Sequence, residues 1–264
     1  MIDTHAHIDD PQYREEFDEY IRRQQDGGVE RIVVPGISAA SIEPVRAVCL
    51  RYPDYLVAGI GLHPEEVKDD WREQLDVLYR ELSTHADFYK AIGEIGLDYY
   101  WDKTYKAEQQ EVLRIQLGWA RERDLPVLIH NREATEDTVR ILREAQTGHG
   151  QGGTEKALRG VFHCFSGSRE TARQILDMGF YLGIGGVLTF KNSKLKEVLA
   201  GVPPERLVLE TDSPYMAPVP YRGQRNESRY MSEVVKMLAD IYKVSPEAVN
   251  EVTTRSAKAL FRLK

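Results

Sequence analysis

The 264-residue chain has only two cysteines, Cys49 and Cys164, so no disulfide framework is indicated and a reducing cytoplasm is the expected compartment. No apolar run approaches the roughly 20 residues needed to span a bilayer, and no membrane partner is expected. The amino terminus has no basic stretch leading into a long apolar core, because Asp3 and His5 interrupt it. It does not read as a secretory signal. Positive charge is also scarce: 35 lysines and arginines face 42 acids, for a net charge of −7. Proteins that coat long duplex DNA are usually basic, so a broad nucleic-acid groove is disfavoured. A grip on a few phosphates at one strand end is not. Low-complexity sequence is confined to Thr147-Gly148-His149-Gly150-Gln151-Gly152-Gly153, which reads as a flexible loop. His149 and His85 lie in connecting segments and are expected in solvent, and Cys164 reads as a small buried residue. With no internal repeat or linker, one domain over residues 1–264 is expected, acting as a monomer.

What the sequence does contain is eight short apolar runs: Ile2–His7, Arg31–Pro35, Tyr55–Leu62, Tyr89–Glu94, Pro126–His130, Gly160–His163, Phe180–Ile184 and Leu207–Thr211. Most are near-continuously apolar, as parallel strands covered on both faces should be. Helical spacing fills the gaps. Tyr13, Phe17, Tyr20 and Ile21 form one apolar stripe, and Met231, Val234, Val235, Leu238, Ala239 and Tyr242 form another. Lys106–Arg123 ends in Asp124-Leu125-Pro126, a helix stop running straight into a strand. Eight strand–helix units in this length predict an α/β fold, the (β/α)8 TIM barrel. A doubly wound open sheet gathers its ligand at one switch point served by two or three strands. Here candidate ligands come from five strand ends, which favours the closed ring.

Those ends carry the chemistry, because barrel enzymes build their sites at the carboxyl ends of the strands. The first run supplies His5 and His7, the fourth Glu94, the fifth His130, the sixth His163 and the eighth Asp212. Alternate residues of a strand point the same way, so His5 and His7 are expected to converge. Four imidazoles and two carboxylates exceed the three protein ligands usual for one catalytic metal. They suit two ions sharing a bridging carboxylate, with Glu94 as the bridge because a carboxylate offers two oxygens. Mixed N/O donors point to Zn²⁺ or Mn²⁺, with Mg²⁺ at a labile position. Asp212 is placed both as a ligand and as the base for an attacking water. His63, in Gly61-Leu62-His63-Pro64, is a candidate acid for the leaving group or a phosphate contact. Arg132, Arg222 and Arg225 are candidate phosphate forks, with Lys191 as a weaker one. Gly183, Gly185 and Gly186 serve either a close backbone approach to a ligand or a tight turn.

At these residues the chain closely resembles the TatD family of metal-dependent deoxyribonucleases, among the amidohydrolase-like barrels. The motifs run almost end to end: Thr4-His5-Ala6-His7, Gly61-Leu62-His63-Pro64, Gly93-Glu94-Ile95-Gly96-Leu97-Asp98-Tyr99, His130-Asn131-Arg132, His163-Cys164-Phe165-Ser166-Gly167, Glu210-Thr211-Asp212-Ser213-Pro214 and Arg222-Gly223-Gln224-Arg225-Asn226-Glu227. The resemblance implies one metal on His5, His7, Glu94 and Asp212, and a second on Glu94, His130 and His163. It also implies hydrolysis of DNA phosphodiesters, trimming single-stranded ends, with His63 near the scissile phosphate. Ser228 stands where the late motif usually has proline, and Ser256 where asparagine is common.

Two rival functions follow from the same residues. An amidohydrolase acting on a small amide, lactone or phosphotriester often uses a carboxylated lysine on the fourth strand. Here Glu94 holds that place and Lys90 lies too far back. A D-aminoacyl-transfer-RNA deacylase belongs to the same class. A non-catalytic binding module predicts missing ligands, whereas every ligand position is filled.

Overall fold

The computed structural model describes residues 1–147 and 157–264; His149 and the glycine-rich stretch from Gly148 onward lie outside the described residues. The strands are β1 (Ile2–Asp3), β2 (Arg31–Val34), β3 (Leu56–Ile60), β4 (Tyr89–Asp98), β5 (Val127–Arg132), β6 (Gly160–Phe162), β7 (Tyr181–Ile184) and β8 (Leu207–Leu209). They form one eight-stranded sheet in chain order, and the pairs β1–β2, β3–β4, β4–β5, β5–β6 and β7–β8 are all parallel. Helices alternate with them: α1 (Phe17–Asp26), α2 (Ile42–Arg51), α3 (Trp71–Thr84), α4 (Lys106–Arg123), α5 (Thr135–Thr147), α6 (Arg169–Asp177), α7 (Leu195–Leu199), α8 (Met231–Tyr242) and α9 (Pro246–Phe261). This is the (β/α)8 architecture expected from the sequence. Among the described residues, no helix is long and apolar enough to cross a membrane.

The contacts divide the chain into two compact units. One comprises Met1–Val34, Val48–Val57 and His163–Lys264; the other comprises Pro35–Ala47 and Ala58–Phe162. In the first, β8 lies beside β1: the Thr4 backbone N–H donates to the Leu209 carbonyl at 3.0 Å, and Ala6 bridges Ser213. The predicted stripe on α1 is buried, with Tyr13 on the short turn of 3-10 helix just before it. On α8, Met231, Val234, Val235, Leu238 and Ala239 face inward, and the Tyr242 hydroxyl donates to the carbonyls of Leu199 and Val202. Ser245 caps α9 by accepting from the Ala248 N–H, and Pro246 opens the helix where its missing donor costs nothing.

In the second unit, β4 is buried along its whole length except at Lys90, as a strand sandwiched between helix layers must be. Helix α4 ends where expected, with Asp124 in the left-handed region at φ 54°. The β4–β5 register shifts between Ile92 and Ile95, so Glu94 sits in a bulge, a device that re-aims a side chain. Gly96, at φ 152°, is demanded by close approach: a Cβ there would lie 1.9 Å from the His130 carbonyl oxygen. That neighbour is backbone and cannot move aside.

Strand limits differ from expectation at the functional ends. β1 stops at Asp3 and β8 at Leu209, so His5, His7 and Asp212 lie on the irregular segments just beyond. β4 and β5 run further than expected, carrying Asp98 and Arg132 into the sheet. Polar side chains replace ladder partners where the strands stop, and apolar continuity alone does not mark that boundary. His85 is half-buried rather than free in solvent, its Nδ1 3.1 Å from Glu81.

Gly96→Ala combines a clash with backbone and a disfavoured φ, and is expected to cost about 3 kcal/mol of stability. That corresponds to a fall of about 6–12 °C in Tm for a chain of this size. A thermal melt unchanged within 2 °C would contradict the close approach of β4 to β5.

Candidate metal centre

In the first unit the imidazoles of His5 and His7 do converge: their Nε2 atoms lie 3.2 Å apart. Asp212 Oδ1 is 3.8 Å from the first and 3.7 Å from the second. His163 stacks on His5 with ring centroids 4.0 Å apart, and donor atoms of His5, His163 and Asp212 all lie within 4.8 Å of one another. Two imidazole nitrogens at 3.2 Å must share either a proton or a cation, since two lone pairs repel. Imidazole and carboxylate together suit a borderline divalent ion. The donors fit such an ion.

Buried polar groups hold these ligands. Asp3, with no exposure to solvent, accepts from the Thr211 hydroxyl at 2.6 Å, the Thr211 N–H at 3.1 Å and the His5 N–H at 3.2 Å. Burial pushes its carboxyl up to about 6, against hydrogen bonds from Ser228 and Thr211 that favour the anion. The Asp212 N–H donates to the His5 carbonyl at 2.9 Å, and the His7 N–H to the Ser213 carbonyl at 2.8 Å. Asp212 itself turns the chain at φ 57°. Asn226 then clamps the turn, its amide donating to the Thr211 and Tyr215 carbonyls. Glu210 is also buried, and burial pushes it up to about 8. It accepts from the Cys164 N–H, next to His163. Gly183 makes room for this carboxyl, since a Cβ there would meet Glu210 Oε2 at 2.0 Å. Gly186 likewise clears the Met216 carbonyl.

In the second unit, Glu94 Oε1 lies 2.9 Å from His130 Nδ1 and 3.2 Å from His63 Nε2. His63 Nδ1 accepts the Glu65 N–H at 3.1 Å, which leaves the proton of a neutral ring on Nε2, facing Glu94. His130 is held at both nitrogens, with Nε2 2.9 Å from Asp98 Oδ2. Burial lowers the His130 pKa, but Asp98 and Glu94 outweigh it and carry it up to about 9. Asp98 stays below the usual carboxylate range: burial opposes ionisation, and hydrogen bonds from His130 and the Tyr100 N–H overcome it. A carboxylate on the far nitrogen of a ligand imidazole fixes its tautomer and raises its basicity.

The arginines separate into two kinds. Arg132 is exposed, its guanidinium 3.9 Å above the Tyr100 ring. Arg222 lies 3.9 Å over Phe190. Arg225 is committed to structure: it donates to Glu16 and to the Gln12 carbonyl at 2.8 Å, reaches Glu227 and covers the Tyr13 ring. Lys191 is exposed. Asp3, Asp98 and Glu210 escaped the sequence reading as functional residues. Only the places of Asp98 and Glu210 inside the motifs, and of Asp3 beside one, marked them, since a buried carboxylate leaves no periodic trace.

Arg225→Ala leaves Glu16 and Glu227 short of a partner and is expected to lower stability by about 1–2 kcal/mol, discounted for partial exposure. Arg222→Ala should leave the melt unchanged. Denaturation of the two variants side by side would contradict this division if Arg222→Ala proved the more damaging.

A family model described as TatD related DNase matches residues 2–262. The chain is 44% identical over 264 residues to the metal-dependent hydrolase YabD of Bacillus subtilis, covering 100% of this chain and 99% of that one. It is 35% identical to the metal-dependent hydrolase YcfH of Escherichia coli K12, covering 100% and 96%. The crystal structure of YjjV, a TatD homologue from E. coli K12, matches with a TM-score of 0.90 at 30% identity, covering 100% and 98%. A PTE-like lactonase of Deinococcus radiodurans shares the fold alone, with a TM-score of 0.64 at 14% identity over 98% and 95%. Residue by residue and in its fold, the chain belongs to the TatD family of metal-dependent hydrolases.

Proposed function

We propose that this protein is a deoxyribonuclease that removes nucleotides from single-stranded DNA ends, using two divalent cations and acting as a monomer in the cytoplasm. The observation that carries the reading is the donor set: His5, His7, His163 and Asp212 beyond the ends of β1, β6 and β8 in one group, Glu94 and His130 within β4 and β5 in the other. The reading assigns His5, His7, Asp212 and Glu94 to one cation, and Glu94, His130 and His163 to the second, with Zn²⁺, Mn²⁺ or Mg²⁺ as the ions. Bound there, divalent ions supply a hydroxide near neutral pH and offset charge developing on the phosphate.

The protein's own groups do the rest. Asp212, a carboxylate with its oxygen beside two imidazoles, takes the proton from the attacking water. His63 offers its Nε2 proton to the leaving oxygen, and Glu94 holds that ring in position. Arg132 and Arg222, each with its guanidinium 3.9 Å over an aromatic ring and exposed, offer N–H groups to phosphate oxygens. Among the described residues neither has a carboxylate within ion-pairing distance. Arg225 supports the same loop from behind through Glu16 and Glu227.

Substrate choice follows from charge. A net charge of −7 argues against a broad basic groove for a duplex. A few aimed arginines suffice for a strand end. The rival with a carboxylated lysine finds no support, because Lys90 is exposed at the start of β4 and donates to the Asp87 carbonyl at 2.6 Å.

The test is digestion of end-labelled single-stranded DNA by protein reconstituted with Mn²⁺, Mg²⁺ or Zn²⁺, set beside deacylation of a D-aminoacyl-transfer RNA under identical metals. Wild-type protein is expected to shorten the DNA from one end and to stop when the metal is chelated. Asp212→Asn should lower kcat by about 10²–10⁴-fold, the range for loss of a general base. Deacylation without DNA cleavage would overturn the proposal.

A further inference from the structure

Two aromatic side chains just past the end of β4, Tyr100 and Trp101, remain outside the chemistry described above, and they meet Arg132, the last residue of β5. Trp101 is 65% exposed and Tyr100 48% exposed, unusual values for rings of this size. The chain's other two tryptophans, Trp71 and Trp119, are buried. The Tyr100 and Trp101 rings meet edge to face with centroids 4.7 Å apart. The Arg132 guanidinium lies 3.9 Å from the Tyr100 centroid and 5.1 Å from that of Trp101. Ordinarily an exposed arginine finds an acid. Among the described residues no carboxylate lies within ion-pairing distance of Arg132; Glu65 feels its charge from further off, and the two rings are its close contacts.

The cluster is fixed in register with the candidate site by one carboxylate. Asp98 Oδ2 lies 2.9 Å from His130 Nε2, while Oδ1 accepts the Tyr100 N–H at 2.8 Å and reaches the Trp101 N–H at 3.5 Å. The Tyr99 N–H also donates to the Arg132 carbonyl at 3.0 Å, and Asp98 pairs with Arg132 across the strands. The group that holds the His130 ring therefore also folds the backbone that presents the two aromatic rings.

We propose that Trp101, Tyr100 and Arg132 form a nucleobase platform: Trp101 stacks a base of the strand end being degraded, and Arg132 holds the adjoining phosphate. Three features select a nucleotide over an apolar partner. The exposed ring is flat, the groove beside it is lined by charged residues (Lys68 with Glu65, Asp98 and Asp102) as well as by Pro64 and Val67, and the Arg132 guanidinium stands beside it without an ion-pairing carboxylate. A base presents a π-face to the first and its phosphate an anion to the last. Stacking is tolerant of base identity, so the platform favours single strands without reading sequence. A paired base inside a duplex offers no free face. This inference rests on the proposed nuclease activity and adds how the substrate is gripped.

The experiment compares two end-labelled oligonucleotides, one intact and one carrying abasic residues at its two terminal positions. Wild-type protein is expected to process the intact strand about 10-fold more efficiently in kcat/KM, the range of one stacked base. Trp101→Ala should erase that preference and Trp101→Phe restore most of it. In parallel, tryptophan fluorescence is titrated with a thymidine oligonucleotide. Quenching by the intact strand, absent with the abasic strand and absent in Trp101→Phe, supports the platform whether or not cleavage occurs. DNA cleavage with equal efficiency on both strands overturns the platform and leaves the nuclease reading standing. No cleavage of either strand overturns the nuclease reading, and fluorescence then decides the platform alone. Quenching that persists in Trp101→Phe, or that a non-nucleic polyanion reproduces, overturns it.

Discussion

Parallel pairing in chain order sends the carboxyl end of every strand to the same edge of its sheet, and the chemistry of this protein depends on that constraint. A histidine or acid placed one or two residues beyond each apolar run is carried to that edge without any special loop. In one unit this brings His5 Nε2 and His7 Nε2 to 3.2 Å of each other, with Asp212 beside them. In the other it brings His130 Nδ1 to 2.9 Å of Glu94. The same topology buries the strands on both faces, which excludes water from the bases of these side chains.

Placement alone would leave imidazoles free to rotate, and buried carboxylates remove that freedom. Asp98 takes the far nitrogen of His130, and Asp3 gathers the backbone of His5 and the hydroxyl of Thr211. Each is desolvated, yet each collects several donors, which makes a buried acid tolerable. A third buried acid, Glu210, holds the N–H that follows His163 and is pushed up to about 8 by its surroundings. Glycine supplies the space these groups require, at Gly183 beneath Glu210 and at Gly96 beneath the His130 carbonyl.

The architecture was legible in the sequence, and so were the residues that converge in each unit, His5 with His7 and Glu94 with His130, because each has a strong local signature. Apolar runs mark buried parallel strands, and a histidine ending such a run has few alternative explanations once five strands repeat the pattern. The supporting acids were not legible. Asp3 lies inside the first apolar run and Asp98 beyond the expected end of the fourth; nothing in their spacing distinguishes a second hydrogen-bonding layer from a helix cap. Arg225 shows the converse limit. Its place beside Arg222 after β8 reads as phosphate binding, while its geometry commits it to Glu16 and Glu227. Charge in a sequence does not reveal which partner neutralises it. Likewise the exposure of Trp101 could not be read from an aromatic pair that might equally have been core.

The central proposal is that Glu94 would be shared between two cations held by the histidines and Asp212. Anomalous diffraction from crystals grown with Mn²⁺ or Zn²⁺ measures this directly. The account predicts two peaks about 3.5–4 Å apart with a Glu94 oxygen bound to each. One peak lacking Glu94 among its ligands, or two peaks too far apart to share it, would contradict the account.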